Sequence, residues 1–337
     1  MFNGLGIFPI KTVNGSRYYF TRLNDEQQKI YKTILSGIQG YTKEIKMPIR
    51  PINEISKIYN YILHDHPMLF YVASSFQQSS DLYKKRCTVI PEYKYTHGEA
   101  RAFAGEIMRC LQAFDSVKGK SDIEKELYVH DYCSNNFGYD YSFNDLSYSV
   151  LGIALNKSAV CEGIAKFVKL TFDYLGLSSL VVSGKAKNPA HDSGMERHAW
   201  NIVKIEGMTY HLDVTFDMTI ADKLPRYDYF NLSDVDIKAD HVIVDDVPTC
   251  SVEGKDYYSA NRMSIIGLAQ LGNYVGDALK QRKRQIVVKV KNEPHTSDIA
   301  NKVMNIAMQE YSKKGESGVS IETSYNSSQM VFEINYR

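Results

Sequence analysis

The chain has little of what marks several large protein classes. Its 337 residues hold one Trp, 9 Pro and 5 Cys. The cysteines, Cys87, Cys110, Cys133, Cys161 and Cys250, show no CxxC spacing. An odd, unpatterned set argues against a disulfide framework, a zinc ribbon and a dithiol redox motif, and for reduced thiols. No uncharged run approaches the roughly 18 residues of a membrane span, so none is expected. The 40 Lys and Arg against 39 Asp and Glu leave a formal charge of +1. That is too little for the broad electrostatic footprint of a nucleic-acid binder. There is no acidic calcium loop, no internal repeat and no low-complexity tract. The opening residues lack a basic start followed by a long apolar core. No signal peptide is expected, and the expected compartment is cytoplasmic. A chain trimmed of a leader would read the same, which leaves secretion open.

What is there is an ordinary globular composition, 44% hydrophobic and 23% charged. Such a length can bury a large core in two or three units. Tyrosine is frequent, 25 against 14 Phe, which fits half-buried positions that need a polar handle. Three regions are expected. Residues 1–120 read as α/β. They begin with a short strand near Arg17 to Thr21, then a helix from Asp25 to about Gln39 and another from Ile49 to Leu63. Strands at LFYVASSF and CTVIPEYKY follow, then a helix over HGEARAFAGEIMRCLQAFDSV. Residues 121–247 carry the chemistry. Residues 248–337 read as strand, helix, strand, helix and two strands, a small α/β unit.

The chemistry centres on Cys161. In SAVCEGIAKFVKLTFDYLGL, Ile164, Phe167, Val168, Thr171 and Leu175 recur at helical spacing, with Ser158 as N-cap and Gly176 as stop. Cys161 then lies in or just before the first turn, where free N–H groups and the macrodipole favour a thiolate. In RHAWNIVKIEGMTYHLDVTF two β-rich runs flank a Glu206-Gly207 turn. A two-residue turn pairs Ile205 with Met208 and sets His198 opposite Thr215. Asp213 then shares a face with His198 at a diagonal of roughly 7–8 Å between backbones. A three-residue loop would put Asp213 on the other face. On that register Asp213 orients the imidazole and His198 serves as base to Cys161.

SAVCEG followed by RHAWNIVKIEGMTYHLDVTFD resembles the transglutaminase-like superfamily. ELYVHDYCSNNFGYD, LSYSVLGIALNKSAVC and RYDYFNLSDVDIKADH resemble further stretches of its bacterial branch. The resemblance covers residues 121 to about 245. It implies an α+β, papain-like core, a nucleophile helix packed on an antiparallel sheet, flanked by N- and C-terminal α/β units. It also implies thiol acyl transfer by Cys161, His198 and Asp213, with no cofactor. One oxyanion donor would be the Cys161 backbone N–H. The second, from an upstream side chain in this family, would be Tyr148 on the approach strand. The Trp that serves some transglutaminases is not available, since Trp200 is the sole Trp.

The resulting expectation is hydrolysis of a peptide or related amide, with cell-wall peptide one candidate substrate. Transamidation by a transglutaminase or other amide transferase, and an inactive binding module, are the alternatives. Cys133 is the rival nucleophile, but it sits near a helix end where the dipole disfavours a thiolate. His211 is the alternative base. His64, His66, His191 and His241 read as loop or capping residues, and Asp217 as structural. No third ligand is spaced to join His211 and Asp213 in a metal site. The basic run KQRKRQ at 280–285 reads as a solvated helix end.

Overall fold

The structure, a computed structural model, describes residues 17–187, 194–221, 225–313 and 320–336. Its first elements are α1 (Tyr18–Thr21), α2 (Asp25–Gln39), β1 (Ile45–Pro48), α3 (Ile52–Asp65), β2 (Val72–Asp81), β3 (Arg86–Tyr93) and α4 (His97–Leu111). The strands form a small antiparallel sheet in the order β1-β3-β2. Helix α2 begins as its sequence predicts. Asn24 and Gln27 exchange side-chain and backbone hydrogen bonds of 3.0 and 3.2 Å across the first turn, a capping box. The strand expected over Arg17 to Thr21 is instead the helical turn α1. The buried Asp65 accepts from the backbone N–H of Tyr19 and Phe20, at 3.2 and 3.0 Å, and from the Tyr31 hydroxyl at 2.9 Å. A distant carboxylate thus caps a turn whose own residues favour a strand.

Next come α5 (Asp122–Asn136), β4 (Gly138–Tyr139), β5 (Ser158–Ala159), α6 (Cys161–Leu175), β6 (Ser178–Lys187), β7 (Met195–Ile205) and β8 (Met208–Leu212). They are followed by α7 (Val214–Ile220), β9 (Phe230–Leu232), α8 (Asp234–Ile237) and β10 (His241–Ile243). The main sheet is antiparallel throughout, in the order β10-β6-β7-β8-β9, and α6 packs on β6 and β7. The core is therefore α+β, as expected. Helix α6 is buried from Gly163 to Asp173, so even its charged residues lie inside. Lys169 and Asp173 pair at 2.9 Å one turn apart. Asn201 of β7 donates to the carbonyls of Ala165 and Leu180, at 2.9 and 3.3 Å, which ties helix to sheet. Gly163 lies against the carbonyls of Ser147 and Ser149, where a Cβ has no room. Gly176 ends the helix at φ 82°, a left-handed conformation open to glycine.

The last elements are α9 (Tyr257–Ala260), β11 (Ser264–Ile266), α10 (Leu271–Lys280), β12 (Gln285–Lys291), α11 (Ile299–Ser312), β13 (Ile321–Asn326) and β14 (Val331–Tyr336). They form a four-stranded sheet, β11-β12-β14-β13, backed by two long helices. One apolar cluster draws on residues from Tyr19 to Cys250, and a second on residues from Ile265 to Tyr336. Polar contacts join them. Arg226 grips Asp228 with bonds of 3.0 and 2.7 Å and lies 3.8 Å from Glu333. Asn326 donates to the Tyr229 hydroxyl at 3.1 Å.

Glu126 of α5 is fully buried, and one of its oxygens accepts from Asn231 Nδ2 at 3.0 Å. Its other oxygen and Asn231 Oδ1 lack partners. Burial pushes this carboxyl up to about 8, against the pull of Asn231 and His130. A carboxyl that holds its proton more tightly when folded contributes stability below its unfolded pKa and loses it as pH rises through the folded value. The Glu126→Gln variant presents a donor to Asn231 Oδ1 without the charge. Urea unfolding should show it near parental stability at pH 5 and roughly 1–3 kcal/mol more stable at pH 9. Equal stability at both pH values would refute this account.

Candidate active site

Cys161 is the first residue of α6, after Val160 at the N-cap. The chain reaches it through a braced loop. Asp140 accepts from the Ser142 backbone at 2.9 Å, from its hydroxyl at 2.6 Å, from Asn144 at 2.5 Å, and from Ser147. The Ser147 carbonyl accepts from Val160 N–H at 3.1 Å. Ser158 lies in β5, paired with Gly138 of β4, so it is not the N-cap expected. Cys87, Cys133 and Cys250 are buried, whereas Cys161 is half-buried. Burial drives the Cys133 thiol far up and the Cys250 thiol up to about 12. Both are poor thiolates, and Cys133 packs inside α5.

The Glu206-Gly207 turn pairs Ile205 with Met208, and the register runs to Asn201 opposite Leu212. It stops there, so His198 has no partner at Thr215. Asp213 leaves the strand and becomes the N-cap of α7. One oxygen accepts from Phe216 N–H at 3.1 Å, and the other meets His198 Nε2 at 2.6 Å. The diagonal cross-strand geometry is replaced by a helix cap, yet the two side chains meet. His198 lies near enough to Cys161 for the thiol to act on its pKa, and Nδ1 is the ring nitrogen that Asp213 does not take. Burial alone would lower the His198 pKa, but Asp213 and Cys161 outweigh it and raise the value to about 10. Burial likewise opposes ionisation of Asp213, and His198 and His241 hold it well below the carboxylate range. Phe216 and Trp200 flank the imidazole, with ring centres 4.4 and 6.0 Å away.

The remaining histidines sort by their partners. His211 accepts from Trp200 Nε1 at 3.0 Å through Nδ1 and meets Asp234 at 2.9 Å through Nε2. An indole N–H only donates, so His211 is neutral. Its pKa falls to about 4, through burial first. Both of its ring nitrogens are occupied, which leaves neither for Cys161. His211 and Asp213 face different partners, so their alternation makes no common site. Donor atoms of His198, Asp213 and His241 lie within 4.8 Å of one another, as do those of His211, Asp234 and Cys250. In both groups the ring nitrogens are already hydrogen-bonded. His130 of α5 lies 3.0 Å from Asp217 and 3.2 Å from Asp131. Asp217 also accepts from Tyr229 N–H at 3.1 Å, a structural tie.

His241 is neither loop nor cap. It opens β10 opposite Ala186, is buried, and reaches Asp213 at 3.2 Å and Asp240 at 2.6 Å. Its distance along the chain from Asp213 hid it from a local reading. His64 is buried in the last turn of α3 and His66 is the C-cap; His191 lies outside the described residues. In the 280–285 run, Lys280 ends α10 and pairs with Asp277 at 2.8 Å. Tyr148 closes a 3₁₀ turn, Asp145–Tyr148, instead of standing on a strand. Asn144 caps that turn through Leu146 N–H at 3.0 Å, which overrides the aromatic strand preference. A cleft of about 240 Å³ is lined by Leu63, Phe70, Lys94, Tyr148, Glu162 and Lys166, so it adjoins the first turns of α6. Glu162 and Lys166 pair there at 2.5 Å. Tyr139 lies close enough to Cys161 for the thiol's charge to help raise its hydroxyl pKa, after burial.

A half-buried thiol at a helix start and a nearby imidazole–carboxylate pair are features that thiol chemistry needs. Residues 112–214 match the family model of the transglutaminase-like superfamily, and this stretch is a transglutaminase-like domain. The match supports thiol-dependent enzyme activity in general. Two solved structures are similar at low identity. One is a TGase, 15% identical, with 54% of this chain and 53% of that chain covered and a TM-score of 0.32. The other is a candidate cysteine protease from Cytophaga hutchinsonii, 14% identical, with 42% and 61% covered and a TM-score of 0.28. The chain thus spans about half the length of the first. No curated protein matches the chain. Among the described residues, no helix is long and apolar enough to cross a membrane.

The histidine environments set a pH dependence of stability. His198 and His130 are both raised above their ordinary 6.5, to about 10 and about 9, since carboxylate partners outweigh burial. Such groups contribute fully below about 6.5 and lose that contribution as pH rises through 9 to 10. Urea midpoints should therefore fall between pH 6.5 and 10. His130→Gln should flatten the fall; an unchanged slope would count against this origin.

Proposed function

We propose that the protein is a thiol-dependent acyl-transfer enzyme whose favoured reaction is hydrolysis of a peptide or related amide. The observation that carries this is the 2.6 Å contact between Asp213 and one ring nitrogen of His198, with Cys161 near enough to the same ring to help raise its pKa. In this reading His198 takes the thiol proton and the Cys161 sulfur attacks the carbonyl. His198 returns the proton to the leaving amine, and a thioester remains. Water, deprotonated by His198, then releases the acid. Asp213 holds the imidazole in place and stabilises its cation.

The Cys161 backbone N–H is one proposed oxyanion donor. It belongs to the free first turn of a helix. Tyr148, in the cleft wall, is the proposed second, and Tyr139, whose hydroxyl feels the charge of both Cys161 and Tyr148, is the alternative. Peptide is the favoured substrate, with cell-wall peptide one source, because the cleft combines apolar Leu63 and Phe70 with charged Lys94, Glu162 and Lys166. Two of the proposed three regions meet there, since Leu63, Phe70 and Lys94 belong to residues 1–120. The proposed C-terminal region, residues 248–337, has an apolar cluster of its own from Ile265 onward, whereas Cys250 packs with the residues before it.

Iodoacetamide alkylation read site by site by mass spectrometry tests the nucleophile. At pH 6 to 7, Cys161 should label ahead of Cys133 and Cys250, and His198→Ala should slow it at least tenfold. Equal labelling in parent and variant would sink the enzyme reading. A labelled primary amine offered with a glutamine-containing protein separates the second chemistry, since incorporation would make transamidation the reaction. Once a peptide substrate is found, Tyr148→Phe should lower kcat by roughly tenfold to a hundredfold with little change in KM. A loss seen only in Tyr139→Phe would move the donor role to that residue.

A further inference from the structure

Asp213 serves two histidines. The oxygen that meets His198 Nε2 at 2.6 Å also meets His241 Nε2 at 3.2 Å. The opposite nitrogen of His241, Nδ1, lies 2.6 Å from Asp240 Oδ1. The second Asp240 oxygen accepts from the Tyr229 hydroxyl at 2.5 Å, and that hydroxyl accepts from Asn326 of β13 at 3.1 Å. Every member of this line is buried. A carboxylate only accepts, so a ring placed between two carboxylates donates from both nitrogens and carries a positive charge.

We propose that His241 is a buried imidazolium clamped between Asp240 and Asp213. It acts as a positioning residue that fixes Asp213 and adds a second positive charge behind the Cys161–His198 pair. The role rests on the acyl-transfer reading above. Charge balance gives its use. With the thiolate formed, Cys161, Asp213 and Asp240 are negative and His198 is positive. Without a charged His241 the buried group would stand at minus two; with it, at minus one. Separating a proton from Cys161 therefore costs less.

The charged and titratable groups against this ring come from every element around it. They are Asp213 at the start of α7, Asp240 before β10, His198 on β7 and His211 on β8, with Tyr229 acting through Asp240. Trp200 and Phe216 close the walls, each with ring centre 4.9 Å away. Water is thus kept from the ion pairs, which raises their strength.

Two measurements on the full chain decide the matter. Nitrogen NMR of protein labelled with ¹⁵N in its histidine rings should show both His241 nitrogens protonated from pH 6 to 8. A singly protonated His241 ring at pH 7 overturns the proposal, and this test needs no folded variant. In His241→Gln the side-chain amide can still donate to Asp213 but the charge is gone. Removing a nearby positive charge makes every neighbour hold its proton more tightly. The acid limb of Cys161 alkylation by iodoacetamide should move up by about one pH unit, the scale of a unit charge one ring away at an effective dielectric of about 20 with Asp240 partly offsetting it. An unmoved limb overturns the proposal. The two readings fail separately. Alkylation indifferent to His198→Ala defeats the acyl-transfer reading whatever the charge of His241. Alkylation slowed by His198→Ala, with an unmoved limb in His241→Gln, defeats only the role of His241.

Discussion

A single buried carboxylate holds this site together. Asp213 is 1% exposed, and an ion so placed survives only if donors replace its lost water. Three converge on it: the Phe216 backbone N–H and the rings of His198 and His241. Each comes from a different element, so Asp213 ties the end of β8 and the first turn of α7 to β7 and β10. The same bonds that stabilise the ion fix the direction of the His198 ring. Scaffold and chemistry therefore share one group, and Asp213 cannot be neutralised without disturbing both.

Cys161 is held from the other side by packing. Helix α6 is buried nearly all round, between the main sheet and the helices of the preceding region, and Asn201 pins it to the sheet. Its start is fixed by the Asp140 loop and by the close seat of Gly163 on the Ser147 carbonyl. These constraints meet at Val160, whose N–H bonds to that same carbonyl. Residues 17–120 contribute to the same apolar cluster as α6, so they support the Cys161 helix and also line the cleft. That dual position explains why a thiol-bearing helix can carry a buried Lys169–Asp173 pair without being drawn toward solvent.

Sequence reasoning reached the parts of this site that rest on local signals. The helical spacing after Cys161, the stop at Gly176 and the turn at Glu206-Gly207 are all encoded within a few residues. It failed where a distant side chain decides. Asp65 makes α1 a helix from 46 residues away. The bond from Asp213 to Phe216 ends β8 early, so the diagonal pairing inferred from strand geometry never forms, although the contact it predicted does. His241 arrives on an edge strand on the far side of β6, 28 residues beyond Asp213. The one available cue was compositional, an Asp beside a His in ADH, and adjacency alone does not say that both point inward.

Four buried rings show why histidine chemistry is legible only from partners. His198 and His130 each face a carboxylate that raises the pKa of the ring against burial, and His241 faces two carboxylates. His211 also faces a carboxylate, Asp234, yet Trp200 donates to its other nitrogen and forces it neutral. The difference between a charged and an uncharged ring is a single indole N–H. Trp200 sits beside His198 with its ring nearly parallel and consumes the one nitrogen through which His211 could have acted. The same residue therefore forms a wall for the His198 ring and leaves His211 on β8 without a free nitrogen.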